Sequence, residues 1–246
     1  MRSFAYIGVD GLLGDTPTYA LSDIHGHYDQ LERALAWIAE DSRNEPGTVV
    51  IFCGDYVDYG PHSRKVLNRL QAGPDNEEIL WIFLVGNHEQ MMLEALETSH
   101  ERVWNGWMRS GGQKTIDNYI LAPGSNASID KVALDGHRKF LTSMGVSFED
   151  KGRIFVHAGL RDIGRGHYTL GRQSQTEMLW IKPGDMDAAW PSRLKKLVVH
   201  GHTPFNRGVP GRRVCIDGGI GLKGGALIVA KFNDKQLEPT HTELFR

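Results

Sequence analysis

The segment Ile51-Phe52-Cys53-Gly54-Asp55-Tyr56-Val57-Asp58-Tyr59-Gly60-Pro61 changes character in its middle. The apolar run that begins at Val49 stops at Gly54, and two carboxylates follow, three residues apart. A short Val/Ile/Phe-rich run reads as a buried strand, and the glycine marks where the chain turns out of it. Packing alone gives no reason to place Asp55 and Asp58 there, because buried carboxylates need partners.

The same punctuation recurs along the chain. Tyr19-Ala20-Leu21 runs into SDIHGH, residues 79–85 into GNHE, and Ile154-Phe155-Val156 into HAG. Leu197-Val198-Val199 runs into HGHTP and Val214-Cys215-Ile216 into DGG. Between these strands lie helical patterns. Leu31, Leu35 and Ile38 fall on one face of a helix over 28–40. Ser63 reads as the N-cap of a second helix whose buried stripe is Val66, Leu67 and Leu70. Met91, Met92, Ala95 and Leu96 read as the core face of a third. Residues 98–146 hold no strong strand and read as a helical insertion. Strands alternating with helices, followed by a strand-rich C-terminal third, predict an α/β or α+β layered arrangement. One domain over 1–246 is the simplest organisation.

Composition narrows the function classes. The 28 basic and 30 acidic side chains give a net charge of −2, which argues against attachment to nucleic acid or membrane by bulk charge. No apolar run approaches the roughly 18 residues of a membrane helix. Asp10 and Asp15 interrupt the N-terminal stretch, unlike a signal peptide. Cys53 and Cys215 sit in apolar runs and read as buried free thiols of a reducing compartment. A cytoplasmic location is expected.

The polar residues that follow the strands are of one chemical kind: Asp23 and His25, Asp55 and Asp58, Asn87 and His88, His157, and His200 with His202. Carboxylate, imidazole and amide oxygen are ligands for divalent transition metals, and the lack of an accompanying thiolate argues against a structural zinc site. In an extended Asp23-Ile24-His25, both polar side chains would point to one side and Ile24 into the core. Asp55 could bridge two ions, which at about 3.5–4 Å apart can clamp a phosphoryl group and polarise a water. Any one of these motifs alone is weak. Five of them, each closing a strand, are hard to assign to packing.

The ordered series SDIHGH, GDYVDYG, GNHEQ, VHAGL and HGHTP, spanning Ser22 to about Gly219, resembles the phosphoprotein phosphatase family of metallophosphoesterases, in its bacterial and phage Ser/Thr phosphatase-like branch. Residues 107–119 (WMRSGGQKTIDNY) resemble the W-x-x-x-GG-x-x-T segment of bacterial members. The resemblance implies an α+β calcineurin-like fold, a central β-sandwich flanked by helices in four layers (α/β/β/α). It implies two divalent metals, Mn foremost with Fe or Zn as alternatives. Asp23, His25 and Asp55 would hold the first, and Asp55, Asn87, His157 and His200 the second. His88 would be the proton donor, oriented by Asp58. The implied reaction is hydrolysis of a phosphate monoester, on a phosphoprotein or small ester, by a metal-bridging hydroxide. A dinucleoside polyphosphate hydrolase is the alternative within the enzyme class. A weakly active metal-binding relative is the alternative outside it. An exposed Asp58–His88 pair would serve no purpose without catalysis, which argues against that last reading.

Two departures stand out. The family pattern GDxVDRG has arginine where this chain has Tyr59, and an LLWIR-type segment has arginine where this chain has Lys182. Lysine lacks the planar fork for bidentate phosphate contact. Tyr59, Lys182 and Arg64 are the candidate phosphate contacts, with Arg109, Arg161 and Arg165 as further cations that could compensate.

Overall fold

The computed structural model describes residues 4–8, 17–43, 45–121, 128–206, 208–233 and 235–246. Two five-stranded mixed sheets form its centre. The first has the order β1-β5-β6-β7-β8, from Ala5–Gly8, Gly145–Glu149, Arg153–Val156, Leu197–His200 and Arg213–Cys215. The second has the order β10-β9-β2-β3-β4, from Gln236–Phe245, Leu227–Asn233, Thr18–Leu21, Val49–Phe52 and Leu80–Phe83. The strands β2, β3 and β4 run parallel, as do β6, β7 and β8. Parallel strands bring their C-terminal ends to one edge, which is why motifs far apart in sequence meet.

Alternation along each strand divides the core. Ala20, Ile51, Ile82 and Ala230 of one sheet share a buried cluster with Phe148, Phe155, Leu197 and Val199 of the other. Their neighbours Leu21, Val50 and Phe52 belong instead to a cluster with the helices α1 (Tyr28–Asp41) and α2 (Ser63–Ala72). Leu31, Leu35, Ile38, Val66, Leu67 and Leu70 supply the helical side of that contact. The architecture is therefore an α+β sandwich flanked by helices, as the family resemblance implied.

The helices α3 (Asn87–Glu97), α4 (Glu101–Trp107), α5 (Gln113–Asp117) and α6 (Lys131–Thr142) follow β4. A π-helical turn, Met108–Gly112, joins α4 to α5 and breaks helical geometry at Ser110 and Gly111. The strand β5 begins at Gly145, inside the stretch read as free of strand. The helices α7 (Gln175–Trp180) and α8 (Pro183–Ala188) precede β7. Ser63 is not a cap: His62 holds the N-cap position. The Ser63 hydroxyl is committed elsewhere, accepting from the Asp58 N–H at 3.1 Å. Cys53 is a buried free thiol, whereas Cys215 is free but only partly buried.

Candidate metal centre

Nine described non-glycine residues take positive φ, and Asp23, His25, Asp55, Asp58, Tyr59 and His202 are six of them. Left-handed backbone costs an L-residue roughly 1–2 kcal/mol, so such a concentration marks a place where the fold imposes geometry for another purpose. It also corrects the extended reading of Asp23-Ile24-His25, which turns sharply with φ of 53° at Asp23 and 44° at His25. Ile24 is fully buried, as that reading required.

Backbone hydrogen bonds hold the turns together. Asp23, His25 and Gly26 donate to the carbonyls of Gly54, Asp55 and Tyr56 at 2.9, 2.9 and 2.8 Å. The fully buried Glu89 carboxylate accepts from Asp55 N, Tyr56 N, Val57 N and Gly86 N at 2.8, 2.8, 3.2 and 2.9 Å. One side chain thus ties the loop after β3 to the start of α3. Gly86 is needed there, since a Cβ would lie 2.2 Å from Asp55 Oδ1.

Asp55 is the hub. Its Oδ2 lies 3.7 Å from His25 Nε2, 3.4 Å from His157 Nε2 and 4.0 Å from His88 Nε2. Two sets of ligating atoms share it: His25, Asp55 and His88 form one, Asp55, His157 and His202 the other, each within 4.8 Å. His25 Nδ1 donates to Val57 O at 2.8 Å and His157 Nδ1 to Cys53 O at 2.9 Å, which fixes both Nε2 atoms toward Asp55. Asn87 Oδ1 meets His157 Nε2 at 2.8 Å and His202 Nδ1 at 2.9 Å. Asp23 lies alongside, its carboxylate accepting from His202 N at 3.1 Å and from the Ser22 hydroxyl.

This donor set fits divalent cations. Burial pushes His25 down to about 4, so its Nε2 carries a lone pair facing a carboxylate oxygen. Burial and the nearby Asp217 hold the Asp23 carboxyl well above the usual range. Burial opposes charge on His157, but Asp55 outweighs it and raises that ring to about 10. A proton on His157 and a divalent ion answer the same need, positive charge among clustered acceptors.

His88 and Asp58 form a second arrangement beside the hub. His88 Nδ1 donates to Asp58 Oδ2 at 2.7 Å. Burial opposes protonation of His88, but Asp55 and Asp58 prevail and push it up to about 9. The pair is buried, not exposed as expected from sequence. Asp58 also receives Trp107 Nε1 at 3.0 Å and Thr115 Oγ1 at 2.7 Å. Trp107 and Thr115 open and close the W-x-x-x-GG-x-x-T segment, and their donation to Asp58 is a role the sequence reading did not assign. Gly111 within that segment has φ 98°, and a Cβ there would lie 2.8 Å from the Tyr59 ring.

One expected ligand is misplaced. His200 lies in β7 with its Nδ1 donating to Gly201 O at 3.0 Å and its Nε2 3.3 Å from Arg213 Nη1. His200 belongs to neither set of ligating atoms, and the left-handed turn just past β7, with φ 67° at His202, brings His202 to the Asp55 hub instead. The i, i+2 logic applied to Asp23 and His25 would have singled out His202 as readily. Asp217 was also passed over; it is buried, lines the cavity and accepts from Gly219 N at 2.8 Å.

The cavity over the hub has a volume of about 600 Å³. Tyr59 lines it, but Lys182 and Arg64 do not. Arg64 is held by Asp130 at 2.7 Å over the Tyr119 ring, and Lys182 is exposed at the N-cap of α8. Arg161 pairs with Glu177, while Arg109 and Arg165 are exposed. Met91, read as core, also lines the cavity.

A β-sandwich with paired Asp/His clusters at the strand ends and a carboxylate–imidazole dyad beside them defines a metallophosphoesterase. A model of the calcineurin-like phosphoesterase family matches residues 16–235, and the chain belongs to that family. Serine/threonine-protein phosphatase 2 of Escherichia coli is 30% identical over 164 residues, 66% of each chain. The asymmetrical bis(5'-nucleosyl)-tetraphosphatase PrpE of Halalkalibacterium halodurans is 25% identical over 251 residues, 92% of this chain and 96% of that one. A solved serine/threonine phosphatase from Saccharomyces cerevisiae superposes with a TM-score of 0.64 at 14% identity, covering 99% of this chain and 84% of that one. No described helix is long and apolar enough to cross a membrane.

Proposed function

We propose that the protein is a metal-dependent phosphatase in which His88 protonates the departing oxygen and Asp58 positions His88. One observation carries this: the dyad at 2.7 Å presents His88 Nε2 on the same side as Asp55 Oδ2, 4.0 Å away. Asp23, His25 and Asp55 would hold one divalent ion, and Asp55, Asn87, His157 and His202 a second. Bound there, the ions would polarise a water and the phosphoryl oxygens. Mn²⁺ is our working ion, and Fe²⁺ or Zn²⁺ suit the same donors. Asp58 fixes the His88 ring through Nδ1, leaving the Nε2 proton for the leaving group.

The phosphate monoester of a serine or threonine is the first substrate reading, supported by the likeness to the Escherichia coli phosphatase. A dinucleoside polyphosphate is the second, supported by the longer match to the tetraphosphatase and by the aromatic side chains Tyr59 and Trp180 at the cavity. We also read the chain as one domain with residues 98–146 inserted.

Loading Mn²⁺ into metal-free protein is expected to restore p-nitrophenyl phosphate hydrolysis, with His88→Asn losing on the order of 10²–10⁴-fold in kcat. A His88→Asn protein with wild-type turnover and two bound metals would refute the assignment. A panel of phosphopeptides and dinucleoside polyphosphates separates the two substrate readings.

A further inference from the structure

We propose that the cavity selects phosphorus carrying a single negative charge, and that the protein hydrolyses phosphodiesters with aromatic or nucleoside arms in preference to monoester dianions. The inference rests on the metallophosphoesterase reading, names the substrate class of that same site, and sets two-armed substrates ahead of the serine or threonine monoester.

Charge is the first observation. Among the described residues lining the cavity there is no lysine or arginine, while Asp23, Asp55 and Asp217 all line it. Two dications bound there would outweigh these three carboxylates by about one charge. A guanidinium at the position of Tyr59, which lines the cavity, would have raised the surplus to match a dianion. The site instead suits a monoanion, which is what a phosphodiester is at neutral pH. Desolvating a second, unbalanced charge in such a cavity is costly.

Shape is the second observation, and it is independent of charge. Tyr59 packs edge-on against His25 and His88, with centroids 5.0 Å from each. Trp180 packs against His202 at 6.1 Å, and Gln90 fixes its indole through a 2.8 Å hydrogen bond. One exposed aromatic face therefore stands beside each ligand group, Tyr59 at 55% and Trp180 at 39% exposure. A diester has two organic arms on one phosphorus, one for each wall, whereas a monoester has one.

The reaction balances simply. A water oxygen forms a bond to phosphorus and the bond from phosphorus to one ester oxygen breaks. The departing oxygen takes the proton from His88 Nε2, which is replenished from solvent, and the water releases both of its protons. The products are an alcohol and a monoester, whose added negative charge favours its leaving the acidic cavity.

The test uses Mn²⁺-loaded protein with bis(p-nitrophenyl) phosphate and p-nitrophenyl phosphate at pH 8. We expect kcat/KM to favour the diester at least tenfold. Tyr59→Arg should reverse the preference and tighten inhibition by inorganic phosphate by about tenfold. Trp180→Ala should lower diester kcat/KM by a larger factor than monoester kcat/KM. Calorimetry on loaded His88→Asn gives a reading free of turnover, with diphenyl phosphate binding more tightly than phenyl phosphate. Faster monoester hydrolysis by wild type, tighter phenyl phosphate binding, or an unchanged ratio in Tyr59→Arg overturns the proposal. If wild type prefers the monoester and His88→Asn abolishes turnover, only this inference fails. If His88→Asn retains turnover of both substrates, the underlying mechanism fails.

Discussion

At the end of β7, His200 and His202 enter two different surroundings. Around His200, Arg213 supplies an internal cation. It binds Asp187 with both fork nitrogens at 2.8 and 2.7 Å, reaches Asn206 at 2.7 Å and faces His200 Nε2 at 3.3 Å. Around His202, carboxylates and imidazoles gather with no lysine or arginine among the described residues lining the cavity. The residue types are nearly the same, yet one cluster closes its own charge and the other does not. Histidine and aspartate density therefore does not identify a metal site. An acceptor-rich cluster without its own cation is the better candidate.

The sharpest way to break this contrast is to truncate each histidine. His202→Ala should weaken Mn²⁺ binding by at least 10–100-fold, the scale seen even for outer partners of metal ligands. His200→Ala should leave metal stoichiometry unchanged and cost about 1–3 kcal/mol of stability, because Arg213 keeps Asp187 but loses a neighbour. Calorimetric metal titration and urea unfolding of both variants decide it. Equal metal loss in the two would place His200 in the centre after all.

The second test is pH. His88 and His157 are raised to about 9 and about 10, above the ordinary imidazole value of 6.5. Their stabilisation is complete below 6.5 and is lost as pH rises through 9 to 10. His25, His200 and His202 are lowered to about 4, 3 and 4, so they act only below about 6.5. Between pH 7 and 10 the chelated protein should lose Tm progressively. Metal binding displaces the His157 proton, so the Mn²⁺-loaded protein should lose less Tm across the same range. Parallel pH curves for the two forms would contradict this.

The third test is Thr115→Val. It removes the 2.7 Å donation to Asp58 and should lower kcat by about 10–100-fold with little change in KM. Thr115→Ser, which keeps the hydroxyl, should recover most of the loss.

The legible part of this molecule was the part where strands end in polar residues. Val49–Phe52 and Leu197–His200 announce themselves because β-branched runs stop abruptly at histidine, aspartate or glycine. Strands β1, β9 and β10 bear none of the motifs that close the legible strands; β10 (QLEPTHTELF) is polar and largely exposed, and β1 and β10 end their sheets. The candidate ligands were visible as residue types. Which member of His200 and His202 reaches the hub depended on side-chain direction at the strand end, set by a left-handed turn at His202 with φ 67°. Asp217 lacked a motif partner in sequence and became apparent only from its place on the cavity wall.

Trp107 and Thr115 reach Asp58 from a helical segment that lies outside both sheets. His88, the proposed proton donor, is therefore only as well aimed as that segment is docked. Helices of 7 and 5 residues, separated by a turn that breaks at Gly111, have little independent stability and persist by their contacts. On warming, they should detach before the sandwich melts. Turnover would then fail at a temperature below the global transition, with the metals still bound and the sheets intact. Under the proposed mechanism, the heat limit would be set by a clasp on the general acid, not by the core.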